Sequence, residues 1–135
     1  MTDSALDTGP ADALVTFLPS SDLVASRDFY ERILGLVLVV DQTTCLIFKV
    51  TDTAFIGVCD SLDASGDNTV ITTLVTDDVD GWCARILDAG WTPESGPEHS
   101  ETYGIYHAFF RDPSGNRIEI QRFDDPSWSA PRRET

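Results

Sequence analysis

The chain repeats one order of predicted elements, and this repeat constrains the fold more than any other feature. In each half a strand pattern is followed by a capping aspartate, a helix that ends at a glycine, and further strands. The triplet Arg32-Ile33-Leu34 of the first helix returns as Arg85-Ile86-Leu87 in the second, 53 residues later. Four strands and one helix leave one sheet face uncovered, so the halves are expected to pair. The sequence therefore predicts an α+β fold in which two βαβββ modules form a curved eight-stranded mixed sheet, with helices outside and a central cleft.

The repeat also sets the predicted domain boundaries. The expected segments are a disordered N-terminal tail (1–11), a first βαβββ module (12–60), a polar connector (61–68), a second βαβββ module (69–123) and a C-terminal tail (124–135). Strands are predicted at 13–18, 36–40, 45–50, 54–59, 69–76, 105–110 and 117–123, with a short strand near Trp91 and a loop over 93–102. The helices are predicted at 23–34 and from Asp78 to Gly90.

Composition excludes several classes of partner. The 135 residues suit one domain, and 23 acidic against 9 basic residues give a net charge of −14. Such a surface repels phosphate backbones, so we expect no nucleic-acid partner. No apolar run approaches the roughly 20 residues that span a bilayer, and residues 1–11 lack the features of a secretory signal. We therefore predict a cytoplasmic protein without a membrane partner; the acidity indicates solubility or a salt-adapted host more than attraction of a cationic ligand.

The three cysteines favour burial over a disulfide framework. Cys45, Cys59 and Cys83 are an odd number, and each lies in an apolar segment. Small buried hydrophobic side chains in a reducing cytoplasm fit this pattern best.

A tight turn near the C-terminus directs one carboxylate away from the core. The turn, Asp112 to Asn116, combines a proline that presets one dihedral with a glycine and an asparagine that tolerate positive φ. In the strand that follows, Ile118 and Ile120 point to one face, so Glu119 points to the other. Glu119 thus faces either solvent or a binding cavity.

Several short words give the chain a family resemblance. They are Ser21-Asp22-Leu23, Ser26-Arg27-Asp28-Phe29-Tyr30, Leu34-Gly35-Leu36, Tyr103-Gly104, the segment 110–116 and Ile118-Glu119. With the repeat they resemble the vicinal oxygen chelate superfamily, which includes glyoxalase I, bleomycin-resistance proteins, fosfomycin-resistance enzymes and extradiol dioxygenases. The resemblance covers residues 12–124 and implies the fold. It also implies a homodimer, since many members build their clefts across two chains, but it leaves the activity open because the superfamily hosts many.

The resemblance provides a test for a metal site. Enzymatic members hold a divalent metal with His, Gln or Glu on the first and last strands of each half. Carried onto this chain, the four positions fall at Val15, Gly57, Ile71 and Glu119, of which only Glu119 carries a ligand. One carboxylate cannot hold a catalytic ion against water. We therefore predict no metal and no cofactor.

A displaced metal site remains the alternative. The chain has two histidines, and His107 lies in the strand before the turn, whereas His99 lies in a polar segment. His107 and Glu119 with a third donor, Cys59 or Tyr103, would form such a site. A hydrogen-bonded strand histidine or a cavity-wall residue is the more ordinary interpretation of His107.

Three functions follow from these expectations. The first is a metal-free small-molecule-binding protein of the glyoxalase/bleomycin-resistance type, which sequesters a cationic or aromatic ligand in an apolar cleft. The residues predicted to line that cleft are Val15, Phe17, Gly57, Ile71, Thr73, His107, Phe109, Glu119 and Gln121. The alternative is a lyase, isomerase or dioxygenase of the same superfamily, which uses a displaced metal or acid–base chemistry by Glu119 and His107. A structural or regulatory dimer with a self-filled cleft is the third, and no catalytic residue is assigned.

Overall fold

Two successive βαβββ units account for the described part of the chain, which confirms the predicted α+β fold. The structure is a computed structural model that describes residues 9–66 and 69–128. The outer parts of both predicted tails (1–8 and 129–135) and residues 67–68 of the predicted connector lie outside the described residues.

The first unit forms a four-stranded mixed sheet. Its elements are β1 (Leu14–Pro19), α1 (Leu23–Arg27) continued by a π-helical segment (Asp28–Ile33), β2 (Val37–Asp41), β3 (Cys45–Thr51) and β4 (Ala54–Cys59). The Asp22 carboxylate caps α1 by accepting bonds from the backbone N–H groups of Val24 (3.0 Å) and Ala25 (3.2 Å). The strand order is β1-β4-β3-β2, with β1 parallel to β4, so β1 is an edge strand.

The second unit repeats this arrangement. Its elements are β5 (Ile71–Val75), α2 (Val79–Asp88), β6 (Ser95–Ser100), β7 (Ile105–Arg111) and β8 (Arg117–Phe123), in the order β5-β8-β7-β6. The prediction of a short strand near Trp91 was wrong. The strand of this region, β6, lies inside the segment 93–102 that was predicted to be a loop. Its sequence SGPEHS has little β-propensity and forms a strand only by pairing with β7, with a register shift between Ser95 and Glu98. Among the described residues, no helix is long and apolar enough to cross a membrane.

The eight strands form two separate sheets, and each sheet has one face on the core. Helix and sheet residues of both units belong to one buried cluster. The π-helical segment contributes Phe29, Tyr30 and Ile33 to this cluster, and α2 contributes Cys83 and Ile86. The opposite face of each sheet, which we call its open face, bears Val15 and Phe17 in the first unit and Ile71 and Val75 in the second. These four apolar side chains are each more than a third exposed, so the chain leaves both open faces partly uncovered.

The Asp112 carboxylate joins the two units. It accepts hydrogen bonds from the Tyr30 hydroxyl (2.7 Å) and from the Asn116 side chain (2.8 Å), and Asn116 also donates to the Pro19 carbonyl (2.8 Å). Because Tyr30 and Pro19 belong to the first unit, the turn between β7 and β8 has a tertiary role. Burial raises the pKa of the Tyr30 phenol well above its usual range, and the Asp112 carboxylate raises that pKa further.

A disulfide links the last two strands of the first unit. Cys45 and Cys59 are directly opposite in the β3–β4 register and are bonded to each other, so the prediction that all three cysteines are unpaired was wrong. The error arose from counting cysteines without aligning the two strands. Cys83 is free and buried as predicted, and burial raises the pKa of its thiol.

The described part of the C-terminal tail packs on the second unit. The Trp128 ring stacks on Phe123, with centroids 4.0 Å apart and planes inclined by 19°. The described part of the tail therefore contacts the end of β8 through Trp128.

Candidate functional site

Glu119 is the centre of a polar cluster on the open face of the second sheet. Its Oε1 accepts a bond from the Thr73 hydroxyl (2.7 Å), and its Oε2 lies 2.6 Å from His107 Nδ1. With its amide oriented to satisfy its neighbours, Gln121 donates to Oε2 (2.7 Å) and Oε1 (3.1 Å). Glu119 is only 6 % exposed, so these donors replace the water that a buried carboxylate loses.

Strand register brings this cluster together. Thr73 on β5 is directly beside Glu119 on β8, and His107 on β7 is directly opposite Gln121. Ile118 and Ile120 are fully buried on the other face of β8, which fixes the orientation of Glu119 and Gln121 toward the open face. Four of the predicted cleft residues thus meet in one hydrogen-bonded group.

The contact with Glu119 assigns the tautomer of His107. A carboxylate oxygen accepts hydrogen bonds, so we assign the His107 proton to Nδ1, which faces Glu119. Nε2 is then an acceptor in the neutral ring and a donor in the imidazolium. The His107 ring makes an edge contact with Phe109 at a centroid distance of 5.1 Å, which places an aromatic surface beside it. This pair of groups can bond a ligand or transfer a proton.

The open face of the first sheet has no such cluster among the predicted site residues. Phe17 is directly beside Gly57 in the β1–β4 register, and a Cβ added at Gly57 would overlap the Phe17 ring. The Phe17 ring remains 48 % exposed, and Val15 is exposed on the same open face. Ile71 is exposed on the open face of the second sheet. The predicted site residues therefore form two sets on two sheets, an apolar set on the first sheet and a set that contains the polar cluster on the second.

The described residues do not fit the metal of the family's enzymes. Within residues 9–66 and 69–128, no group of three or more His, Cys, Asp or Glu side chains is arranged to hold an ion. Neither third donor predicted for a displaced site joins His107 and Glu119, because Cys59 is in a disulfide and Tyr103 is 72 % exposed in a turn. The oxygens of Glu119 instead face hydrogen-bond donors.

One residue of the open face was missed by sequence reasoning. Arg117 precedes Glu119 by two positions in β8, so the alternation that identified Glu119 also places Arg117 on the open face. Its guanidinium carbon lies 5.8 Å from the centroid of the Phe109 ring.

Solved structures of similar fold include an antibiotic binding protein, a glyoxalase/bleomycin resistance protein and a lyase. TnmS3, an antibiotic binding protein from Streptomyces sp. CB03234, is 27 % identical with a TM-score of 0.71, covering 83 % of this chain and 95 % of its own. A glyoxalase/bleomycin resistance protein from the same organism is 28 % identical with a TM-score of 0.66, covering 82 % and 98 %. A lactoylglutathione lyase from Agrobacterium tumefaciens is 23 % identical with a TM-score of 0.72, covering 90 % and 100 %, a likeness of fold alone. No curated protein matches the chain significantly in sequence.

The sequence match to a family extends over both units. The pattern of the Glyoxalase/Bleomycin resistance protein/Dioxygenase superfamily matches residues 13–120, which span β1 to most of β8. The chain therefore belongs to the glyoxalase/bleomycin resistance protein/dioxygenase superfamily.

Proposed function

We propose that this protein binds a small molecule without a metal, on the open faces of its sheets. The observation that carries the proposal is the occupation of the four family ligand positions. Val15, Gly57 and Ile71 offer no ligand atoms, and the carboxylate of Glu119 is bonded to three side chains. The similarity to TnmS3, an antibiotic binding protein, supports a binding function within this fold.

The proposed ligand is a small aromatic molecule. Phe17 and Phe109 provide aromatic surface on the two open faces, and burying such surface contributes about 25 cal/mol per Å². His107 Nε2 supplies a directional hydrogen bond. A cationic ligand was also predicted, with Glu119 as its counter-ion, but the three donors already on Glu119 count against that pairing.

We also propose that the protein is a homodimer whose second copy completes the cleft. Two edge strands, β1 and β5, carry exposed apolar side chains, among them Phe17 and Ile71. Exposed apolar edges are usually covered, and two different surfaces on one chain can pair reciprocally about a two-fold axis. The apolar face of one copy would then cover the polar face of the other.

Light scattering during size-exclusion chromatography tests the dimer. Wild-type protein is expected at twice the chain mass, and Phe17→Asp at the mass of one chain. Val24→Asp is the matched control, because Val24 is 82 % exposed on α1, away from both open faces. A monomeric wild type, or equal loss of the dimer in both variants, would contradict this interface.

Thermal unfolding of EDTA-dialysed protein tests the binding function. Among neutral, anionic and cationic aromatic compounds, at least one is expected to raise Tm by on the order of 10 °C at 100 times its Kd. Chromatography after incubation should recover that compound unchanged. If no compound raises Tm, or if every stabilisation requires an added divalent ion, the proposal fails.

A second candidate is an enzyme, and the His107–Glu119 pair favours it. A histidine whose Nδ1 bonds a buried carboxylate has its ring oriented for proton transfer at Nε2. If wild-type protein converts a bound compound to a product, and His107→Gln still binds that compound but does not convert it, the protein is an enzyme and not a sequestering protein.

A cytoplasmic location is a further proposal, and the Cys45–Cys59 disulfide counts against its premise. Alkylation of thiols under denaturing conditions at the moment of cell lysis tests it, because Cys83 is buried in the folded protein. Three alkylated cysteines support the reducing cytoplasm, whereas a single one, Cys83, contradicts it.

A further inference from the structure

Arg117, on the open face of the second sheet, differs from the other described cationic side chains because it makes no ion pair. Six of the Lys and Arg side chains that the structure describes make ion pairs: Arg27, Arg32, Lys49, Arg85, Arg111 and Arg122. Arg117 is the only other described side chain of this kind, and no ion pair within 4.0 Å includes it. In a chain with 23 acidic residues, an unpaired cation on the open face is unexpected.

The polar atoms of Arg117 point to a missing acceptor. Its Nε is buried without a hydrogen-bond partner, which is unusual because a buried donor that lacks an acceptor destabilises the folded state. The only comparable side-chain atom in residues 9–66 and 69–128 is the Thr72 hydroxyl, which alternates with Thr73 and lies toward the core. Among the described residues of the open faces, Arg117 alone therefore has a buried side-chain donor without an acceptor.

The acidic groups around Arg117 are already engaged. Glu94 is near enough to feel its charge, but the Glu94 carboxylate bonds Arg111 Nε at 2.6 Å. Arg111 is itself directly opposite Arg117 in the β7–β8 register, which adds a second positive charge to that end of the hairpin. Glu119 bonds His107, Thr73 and Gln121.

We propose that the ligand of this face is a small aromatic molecule with an anionic group, a carboxylate or its equivalent, which bonds the Arg117 guanidinium. The inference rests on the proposed binding function and names its ligand class. The aromatic part lies against Phe109, to which Arg117 and His107 are both adjacent. A planar guanidinium suits a carboxylate, because it can donate two parallel hydrogen bonds.

Three matched probes measured by isothermal titration test the proposal. They are 2-naphthoate (anionic), 2-naphthamide (neutral) and 2-naphthylmethylammonium (cationic), which share one ring system. Wild-type protein is expected to bind the anion at least about tenfold more tightly than either other probe, as for a charge-assisted bond of at least about 1.4 kcal/mol. Arg117→Gln should remove this preference, and Arg117→Lys should keep part of it.

Arg122→Gln is the matched control, since Arg122 is on the opposite face of β8 and pairs with Asp124 at 2.7 Å. It should keep the full preference for the anion. If wild-type protein binds the ammonium probe as tightly as the naphthoate, or more tightly, the inference is wrong. This comparison uses wild-type protein alone, so it does not depend on whether a variant folds. An Arg117→Gln protein that keeps the preference for the anion also overturns the inference. If that protein keeps the preference but becomes monomeric, Arg117 pairs with a second copy of the chain instead of the ligand.

Failure of the inference can be distinguished from failure of the binding function. If the amide or ammonium probe binds and the naphthoate does not, the binding function stands and the anionic class is wrong. If none of the three binds at about 1 mM, a concentration that detects even weak binding, both are contradicted for aromatic ligands.

Discussion

Phe17 lies over Gly57 on the open face of the first sheet, whereas Thr73 bonds Glu119 at the equivalent place on the second. Both pairs join the first strand of a unit to its last, and both first-strand residues precede the capping aspartate by five positions. At this position of the repeat, the first unit thus has an apolar contact, and the second unit has a buried carboxylate with three hydrogen-bond donors.

The difference teaches that the repeat specifies the backbone but not the chemistry of its open faces. The core positions of both units remain apolar, because they stabilise the same packing of helix on sheet. A buried carboxylate adds little to stability compared with an apolar pair, so Glu119 and its donors are better explained by recognition. We interpret the first face as an apolar wall and the second as the face that selects the ligand.

The largest effect is expected from giving the second face the character of the first. Glu119→Leu should lower the free energy of unfolding by roughly 2–4 kcal/mol, because His107, Thr73 and Gln121 lose their acceptor. Adding His107→Leu should recover part of this loss, since fewer buried donors then lack a partner. Urea unfolding measures both. A Glu119→Leu protein within about 0.5 kcal/mol of wild type would contradict the cluster.

The next largest effect belongs to the first sheet alone. Reduction of the Cys45–Cys59 disulfide, whose cysteines are 14 positions apart, should lower the free energy of unfolding by up to about 3 kcal/mol. Urea midpoints with and without a phosphine reductant measure the loss. Cys83→Ala should show the same sensitivity to reduction, because it leaves the disulfide intact. An unchanged wild-type midpoint would mean that the bond adds no stability.

A smaller effect tests the Phe17–Gly57 contact. Gly57→Ala should cost about 1 kcal/mol, because the new methyl group displaces the Phe17 ring. In a Phe17→Ala background the same change should be neutral or slightly stabilising, since alanine limits the unfolded chain more than glycine does. Denaturation of the four proteins of this double-mutant cycle measures the coupling. Equal costs in both backgrounds would show that the ring does not cover Gly57.

The smallest effect comes from an exposed ion pair beside the polar face. The hydrogen bond from Arg111 lowers the pKa of the Glu94 carboxyl below its usual value. The folded state therefore binds this proton less readily, so the stabilisation is present above the unfolded pKa and is lost as pH falls through the folded one. Urea unfolding between about pH 6 and pH 3 should show a shallower decline for Glu94→Gln than for wild type. Identical declines would leave this pair without a measurable contribution.

Much of the fold was predictable because its signals are local. The Asp22 and Asp78 caps, the Asp112–Asn116 turn and alternating isoleucines each act within a few residues. Strand β6 was not predictable in this way, since its polar sequence is held only by its partner β7. The disulfide could have been found, because the strands predicted at 45–50 and 54–59 are symmetric about one turn and place Cys45 opposite Cys59.

The candidate site was predictable in membership but not in its bonds. Alternation put Thr73, His107, Glu119 and Gln121 on one face, but the register that joins them depends on pairing across distant parts of the chain. Arg117 obeys the same alternation. It was missed because a search for metal ligands gives no weight to a cation.

The side-chain nitrogen resonances of the two histidines test the central claim most directly, in EDTA-dialysed protein titrated with the most stabilising aromatic compound. His99 is an internal control, because it lies on β6 with its side chain 68 % exposed, outside the polar cluster. We predict that the ligand shifts the Nε2 resonance of His107, leaves its Nδ1 protonated, and does not move His99. A His107 signal that responds only after a divalent metal is added, or does not respond at all, would contradict a metal-free ligand site on the second sheet.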